Sequence, residues 1–129
     1  MSAFLDRFLG RVQEGDAAAV ERALRERFKF LEERKGFELA ASSRLDDGAV
    51  AAYANRAARR GVAIFARRSK GAWAGVGSIP EEGPIPPVNR ETVGRGIWRE
   101  VSRVDVDDER TLDQALDDLA ASLGDRRAA

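Results

Sequence analysis

Chemistry in this chain has to be built without histidine or cysteine, because the sequence contains neither. No thiolate nucleophile, disulfide or cysteine-ligated zinc is possible. The imidazole that most often serves as general base, and the triads that depend on it, are excluded too. Carboxylates, Lys29, Lys35, Lys70, Tyr53, arginines and hydroxyls remain. The densest carboxylate run is Asp105-Val106-Asp107-Asp108-Glu109. A calcium loop begun at Asp105 would need Gly at its sixth position and Glu at its twelfth, where Arg110 and Leu116 stand instead. Acids at this place suit the positive N-terminal end of a following helix. Gly75-Val76-Gly77-Ser78 has the look of a phosphate-binding turn, yet neither a lysine nor a helix follows it. An enzyme working through carboxylates alone is therefore the least favoured function. No catalytic residue, metal ligand or cofactor is assigned.

Binding is the better use of these residues. Arg56, Arg59, Arg60, Arg67, Arg68 and Lys70 cluster around two expected strand ends. Such a basic hairpin can hold phosphates, and Tyr53 and Phe65 could stack on bases. The sequence pI of about 6.4 lies well below the basic value usual for nucleic-acid-binding domains, so nucleic acid is the runner-up. The primary reading is a noncatalytic protein-binding module, acting on a partner protein or by self-association as a homodimer. Residues 44–79 carry seven basic and two acidic groups, whereas residues 80–129 carry seven and twelve. That uneven charge suits steering toward a complementary partner. Residues 80–96 hold all four prolines and read as an extended surface loop with Pro84-Ile85-Pro86-Pro87 as a stiff connector. Ile85 and Val88 are expected to be exposed there as apolar anchors. The candidate partner-binding set is thus Arg56, Arg59, Arg60, Arg67, Arg68, Ile85 and Val88.

The elements that would position these groups follow from hydrophobic period. Phe4, Leu5, Phe8, Leu9 and Val12 recur at helical spacing between Ser2 and Gly15. Asp16 is the expected cap of a second helix with the stripe Val20, Leu24, Phe28 and Leu31, ended by Gly36. The period then changes to two, with Phe37, Leu39 and Ala41 on one side of a strand. Asp46-Asp47-Gly48 signals a turn. Val50 to Asn55 is rich in alanine, which favours helix, but it lies between turn signals and before a clear strand, so a strand is the shorter connection. Val62 to Ala66 and Trp73 to Ile79 form strands around a Ser69-Lys70-Gly71 turn, and Ile97 to Val106 alternates as a last strand. Thr111 and Gln114 make a capping box for a helix with the stripe Leu112, Leu116, Leu119 and Leu123, closed by Gly124.

Phe28 to Glu33, Gly36 to Leu39, Val50 to Asn55 and Gly61 to Ile64 together resemble a recurring layout of small bacterial α+β proteins whose domain has no assigned function. In these an N-terminal helix feeds an antiparallel meander, and some members sit beside polymorphic toxins as immunity proteins. The resemblance covers roughly residues 24–79 and carries no catalytic motif. It implies an immunity-like role; the protein-binding reading above suits a chaperone-like one as well.

The expected fold is α+β, with N- and C-terminal helices packed on one face of a four- or five-stranded antiparallel meander sheet. Residues 1–129 are read as a single domain with Phe28, Phe37, Val62, Ile64, Trp73 and Leu116 in its core. Nineteen arginines against three lysines, with abundant alanine, suggest a bacterial source. No apolar stretch approaches the ~20 residues that span a bilayer, and the first residues lack a secretory pattern, so a cytoplasmic location is expected.

Overall fold

The computed structural model describes residues 17–124. The expected helix over Phe4 to Val12 and the Asp16 cap lie outside them. Residues 17–27 form helix α1, and Lys29–Arg34 form α2. The single helix expected here is interrupted at Phe28, whose backbone (φ −102°, ψ 11°) leaves the helical region. The Leu31 amide bonds back to the Phe28 carbonyl at 3.1 Å, a tightened turn that joins the two pieces. The stripe survives the break, and Val20, Leu24, Phe28 and Leu31 are all buried. Gly36 takes φ +78°, a left-handed conformation that costs glycine nothing, and the chain turns so that the Phe37 amide reaches the Leu31 carbonyl at 3.0 Å.

Five strands follow: β1 Glu38–Arg44, β2 Gly48–Asn55, β3 Arg60–Arg67, β4 Gly71–Ser78 and β5 Arg99–Asp105. They pair in sequence order as one antiparallel meander. The alanine-rich segment is a strand throughout. Its pairing with β3 is unbroken from Gly48↔Arg67 to Asn55↔Arg60. Helix propensity separates alanine from other residues by less than about 1 kcal/mol each, which a ladder satisfied on both sides overrides.

The largest apolar cluster unites Val20, Leu24, Phe28 and Leu31 with Leu112, Leu116 and Leu119 of helix α4 (Leu112–Ser122). Its sheet contribution is mostly small: Ala49, Ala51, Ala66, Ala72 and Ala74, with Tyr53, Val62 and Ile64. Bulk comes from the helices and close approach from the strands, which is how alanine serves this sheet. Helix α4 starts with the expected capping box, in which the Gln114 amide donates to Thr111 Oγ1 at 3.3 Å and the Thr111 amide to Gln114 Oε1 at 2.9 Å. Arg27 ties α1 to it through Asp117 at 3.0 Å.

A second cluster joins Ala54, Ala63, Ile79 and Trp98, with Trp73, Ile85, Val88 and Val93 against it. Its strand residues alternate with those of the first, as the pleat requires. Two expectations change accordingly. Phe37 is only partly buried against the larger cluster, and Trp73 belongs to the smaller one, edge-on to Phe65 with ring centres 5.7 Å apart. The 80–96 segment is not extended throughout, since Arg90–Gly94 form a short helix, α3, closed by a reciprocal cap between Asn89 and Thr92.

Two strands carry an extra residue. β1 pairs Leu39 with Tyr53 but Ala41 with Ala52, and β5 pairs Ser102 with Ala74 but Glu100 with Gly75. Ala40 and Val101 are the bulged positions. Beyond a bulge the alternation reverses, so Leu39 and Ala41 do not share a side as the unbroken pattern predicts.

Asp47 clasps the two turns at one end of the sheet. It accepts Arg67 Nε at 2.8 Å and the Ser69 amide at 3.2 Å, and the Ser69 hydroxyl donates to it as well. Partial burial pushes its carboxyl up, but the hydrogen bonds from Ser69 and Arg67 outweigh this and hold it at about 2. A depressed carboxylate contributes stability that is complete above roughly pH 4 and lost as pH falls toward 2. Thermal melts of Asp47→Asn and the wild type should therefore differ at pH 5 and draw together as pH falls through 2. Phe28→Ala, which empties a fully buried site, should lower the unfolding free energy by about 3–5 kcal/mol in urea titration; a loss under about 1 kcal/mol would place Phe28 outside the core.

Candidate functional site

The basic residues singled out from sequence do not gather at one place. Arg56 and Arg59 lie in the β2–β3 turn and Arg60 opens β3, while Arg67 closes it and Arg68 follows. Strand rise puts Arg60 and Arg67 about 23 Å apart. Several of these arginines serve the chain itself. Arg56 donates to the Pro80 carbonyl at 3.2 Å, Arg59 pairs with Glu81 at 2.7 Å, and Arg67 is held by Asp47. Ile85 and Val88 are half-buried against the Trp98 cluster rather than free in solvent. They form one wall of a groove whose other wall is Ala41, Ser43 and Val50. The reason is Trp98, whose indole N–H donates to the Pro87 carbonyl at 3.0 Å and holds the proline segment against the sheet.

One arginine of the set, Arg60, stands at a concavity among the described residues. It is a cleft of about 690 Å³ at the end of β3 and β4 away from Asp47. Val62 and Val76, paired across β3 and β4, form its floor, with Phe37 at one side and Ile97 at the other. Arg60, Ser78 and Arg99 stand around it. The strand pleat explains this set. A Cβ on Gly61 would lie 2.7 Å from the Trp98 ring, and one on Gly77 3.0 Å from it, so those positions point at the second cluster. Their neighbours Arg60, Val62, Val76 and Ser78 must point the other way, into the cleft. Arg99 follows Trp98 and by the same alternation faces the cleft as well. Among the described residues lining it, the charged ones are both cationic.

Sequence reading missed Arg99, Ile97, Phe37, Val76 and Ser78 as a group. Gly75 to Ser78 drew attention as a phosphate turn, but they lie within β4, where the glycines make room for indole rings: a Cβ on Gly75 would lie 2.3 Å from the Trp73 ring. The Asp105–Glu109 run forms a turn before α4, with Asp107 Oδ1 accepting the Glu109 and Arg110 amides at 2.8 Å each. Among the described residues no three carboxylates converge to hold a metal ion. Burial pushes the Tyr53 phenol well above its usual range, and Glu32 nearby adds to this, so the ring is a protonated core group. No helix among the described residues is long and apolar enough to cross a membrane.

No family model, curated protein or solved structure matches the chain. The cleft wall itself can be tested. A Cβ on Gly77 would lie 2.4 Å from the Ile97 carbonyl oxygen, a backbone atom that cannot rotate away. Gly77→Ala should destabilise by about 1–3 kcal/mol and shift the tryptophan emission as Trp98 is displaced, whereas Gly94→Ala, with open space around it, should leave the emission unchanged.

Proposed function

We propose that the chain is a noncatalytic protein-binding module and that the Arg60–Arg99 cleft is its docking surface. The observation that carries this reading is an apolar floor, open to solvent, flanked by two cations. Aliphatic and aromatic groups at the centre with arginine around them are the residue types that dominate interface energetics. Absence of histidine and cysteine from the sequence points the same way. On this reading α1, α2 and α4 together cover one face of the meander and leave its Arg60 end for the partner. The layout of residues 24–79 favours an immunity-like role, a docking module would also serve a chaperone-like one in a bacterial cytoplasm, and the partner is a second protein or another copy of the chain. Nucleic-acid binding has less support, because the arginines that suggested it lie at opposite ends of β3 and Arg59 and Arg67 are already paired with carboxylates.

The test places a photo-crosslinking side chain at Ser78, which is exposed at the cleft, in cells of the organism that encodes the protein. Irradiation should give one discrete adduct, whose mass separates a partner protein from a second copy. The same probe at Glu109, far from the cleft in sequence and exposed, should give none. Equal labelling at both positions, or none at Ser78, would sink the proposal.

A further inference from the structure

The cleft also says what the docked segment must carry. We infer that it takes an extended segment of the partner bearing carboxylates next to apolar side chains, with Arg60 and Arg99 receiving the carboxylates. This rests on the docking role proposed above and adds the chemistry of the occupant.

Three observations support it. The first is that neither arginine is taken up by a carboxylate among the described residues, whereas several other arginines are. Arg59, Arg67, Arg95 and Arg103 each hold a carboxylate within 3.4 Å. Among the described residues, Arg60 and Arg99 form no ion pair. Their setting explains why: Arg60 is opposite Asn55 and Ser78, and Arg99 is opposite Val76, all uncharged. The one acid beside Arg99, Glu100, points to the other side of the strand and is taken by Arg103 at 2.8 Å.

The second observation is their spacing. β3 and β5 flank β4, so the two arginines stand two strand separations apart and two residues out of level, about 12 Å between Cα atoms. Two long side chains at that distance can converge on one carboxylate or hold two on the same segment, and guanidinium binds carboxylate in a bidentate fork.

The third is the floor between them. Phe37, Val62 and Val76 offer apolar contact, with the Phe37 amide taken by the Leu31 carbonyl and Val62 paired with Val76 in the β3–β4 ladder. A bare phosphate would meet the two arginines and leave that floor uncovered, and a lipid chain would cover the floor and leave the arginines unpaired. A peptide with acidic and apolar residues side by side satisfies both the rim and the floor.

A display library of random dodecapeptides, selected on the full chain, tests this directly. The expected result is enrichment of sequences with Asp or Glu adjoining Leu, Ile, Val or Phe. A synthetic peptide of the enriched sequence should lose at least about tenfold in affinity on Arg60→Gln, Arg99→Gln, read by fluorescence anisotropy. Binding should also weaken as salt rises. Both arginines are exposed, so the variant should keep the wild-type melting curve. If that variant fails to fold, the salt titration and a peptide with Asn and Gln in place of its acids decide the question on the wild type. Enrichment of apolar peptides without acids, affinity indifferent to the arginines, or no enrichment at all would each overturn the inference. The Ser78 crosslink judges the docking role independently, so loss of one reading does not hide the fate of the other.

Discussion

The structure depends on one steric arrangement: a sheet whose middle strands are rich in alanine and glycine, with much of the bulk supplied from outside. Where Val20, Leu24, Phe28, Leu116 and Leu119 pack, the strands answer with Ala49, Ala51, Ala66, Ala72 and Ala74. Where Trp98 and Trp73 pack, the strands answer with Gly61, Gly75 and Gly77, at which a single added carbon would lie 2.3–2.7 Å from the nearest neighbour. Such positions are intolerant for a packing reason. A methyl group there must displace an indole or a backbone carbonyl, and a close-packed interior has no slack to take it up.

The cleft follows from that arrangement. Trp98 is fully buried over Gly61 and Gly77, and its N–H fixes the path of the proline segment through Pro87. Because side chains alternate along a strand, burying Trp98 on that side sends Arg99 to the opposite one. The bulge at Val101 then lets Val104 join the helix-bearing cluster while Trp98 stays with the other. Without the extra residue, Trp98 and Val104 would share a side. Arg99 therefore reaches the cleft because a tryptophan six residues from Val104 must face away from it.

Several arginines are taken up by carboxylates of the chain itself. Exposed pairs such as Arg59–Glu81 contribute no more than about 1 kcal/mol each, so their main effect is to fix where turns lie and to remove those charges from the pool offered to a partner. Asp47 does more, since it gathers Arg67 and Ser69 from the β3–β4 turn onto the β1–β2 turn and keeps both hairpins in register. At the opposite end of the sheet Arg60 and Arg99 hold no carboxylate among the described residues and have uncharged residues beside them in the ladder.

Local chemistry was legible in the sequence. The stripe from Val20 to Leu31, the Thr111–Gln114 cap with Leu112 to Leu123 behind it, the left-handed glycines at 36 and 124, and the succession of strands each rest on neighbours within one or two turns of chain. Even the alanine-rich β2 could be assigned from the turn signals on either side. Of the cleft, Arg60 alone is legible as a binding residue, and in sequence it clusters with arginines that lie at the far end of the same strand. The remainder needed the tertiary structure, because a one-residue bulge leaves composition and average period almost unchanged yet exchanges the two sides of a strand for every residue beyond it. The bulges at Ala40 and Val101, the side chosen by Trp98, and hence the meeting of Arg60 with Arg99 across β4 are decided by which packing fits on the finished sheet. Period and charge along the chain do not contain that choice.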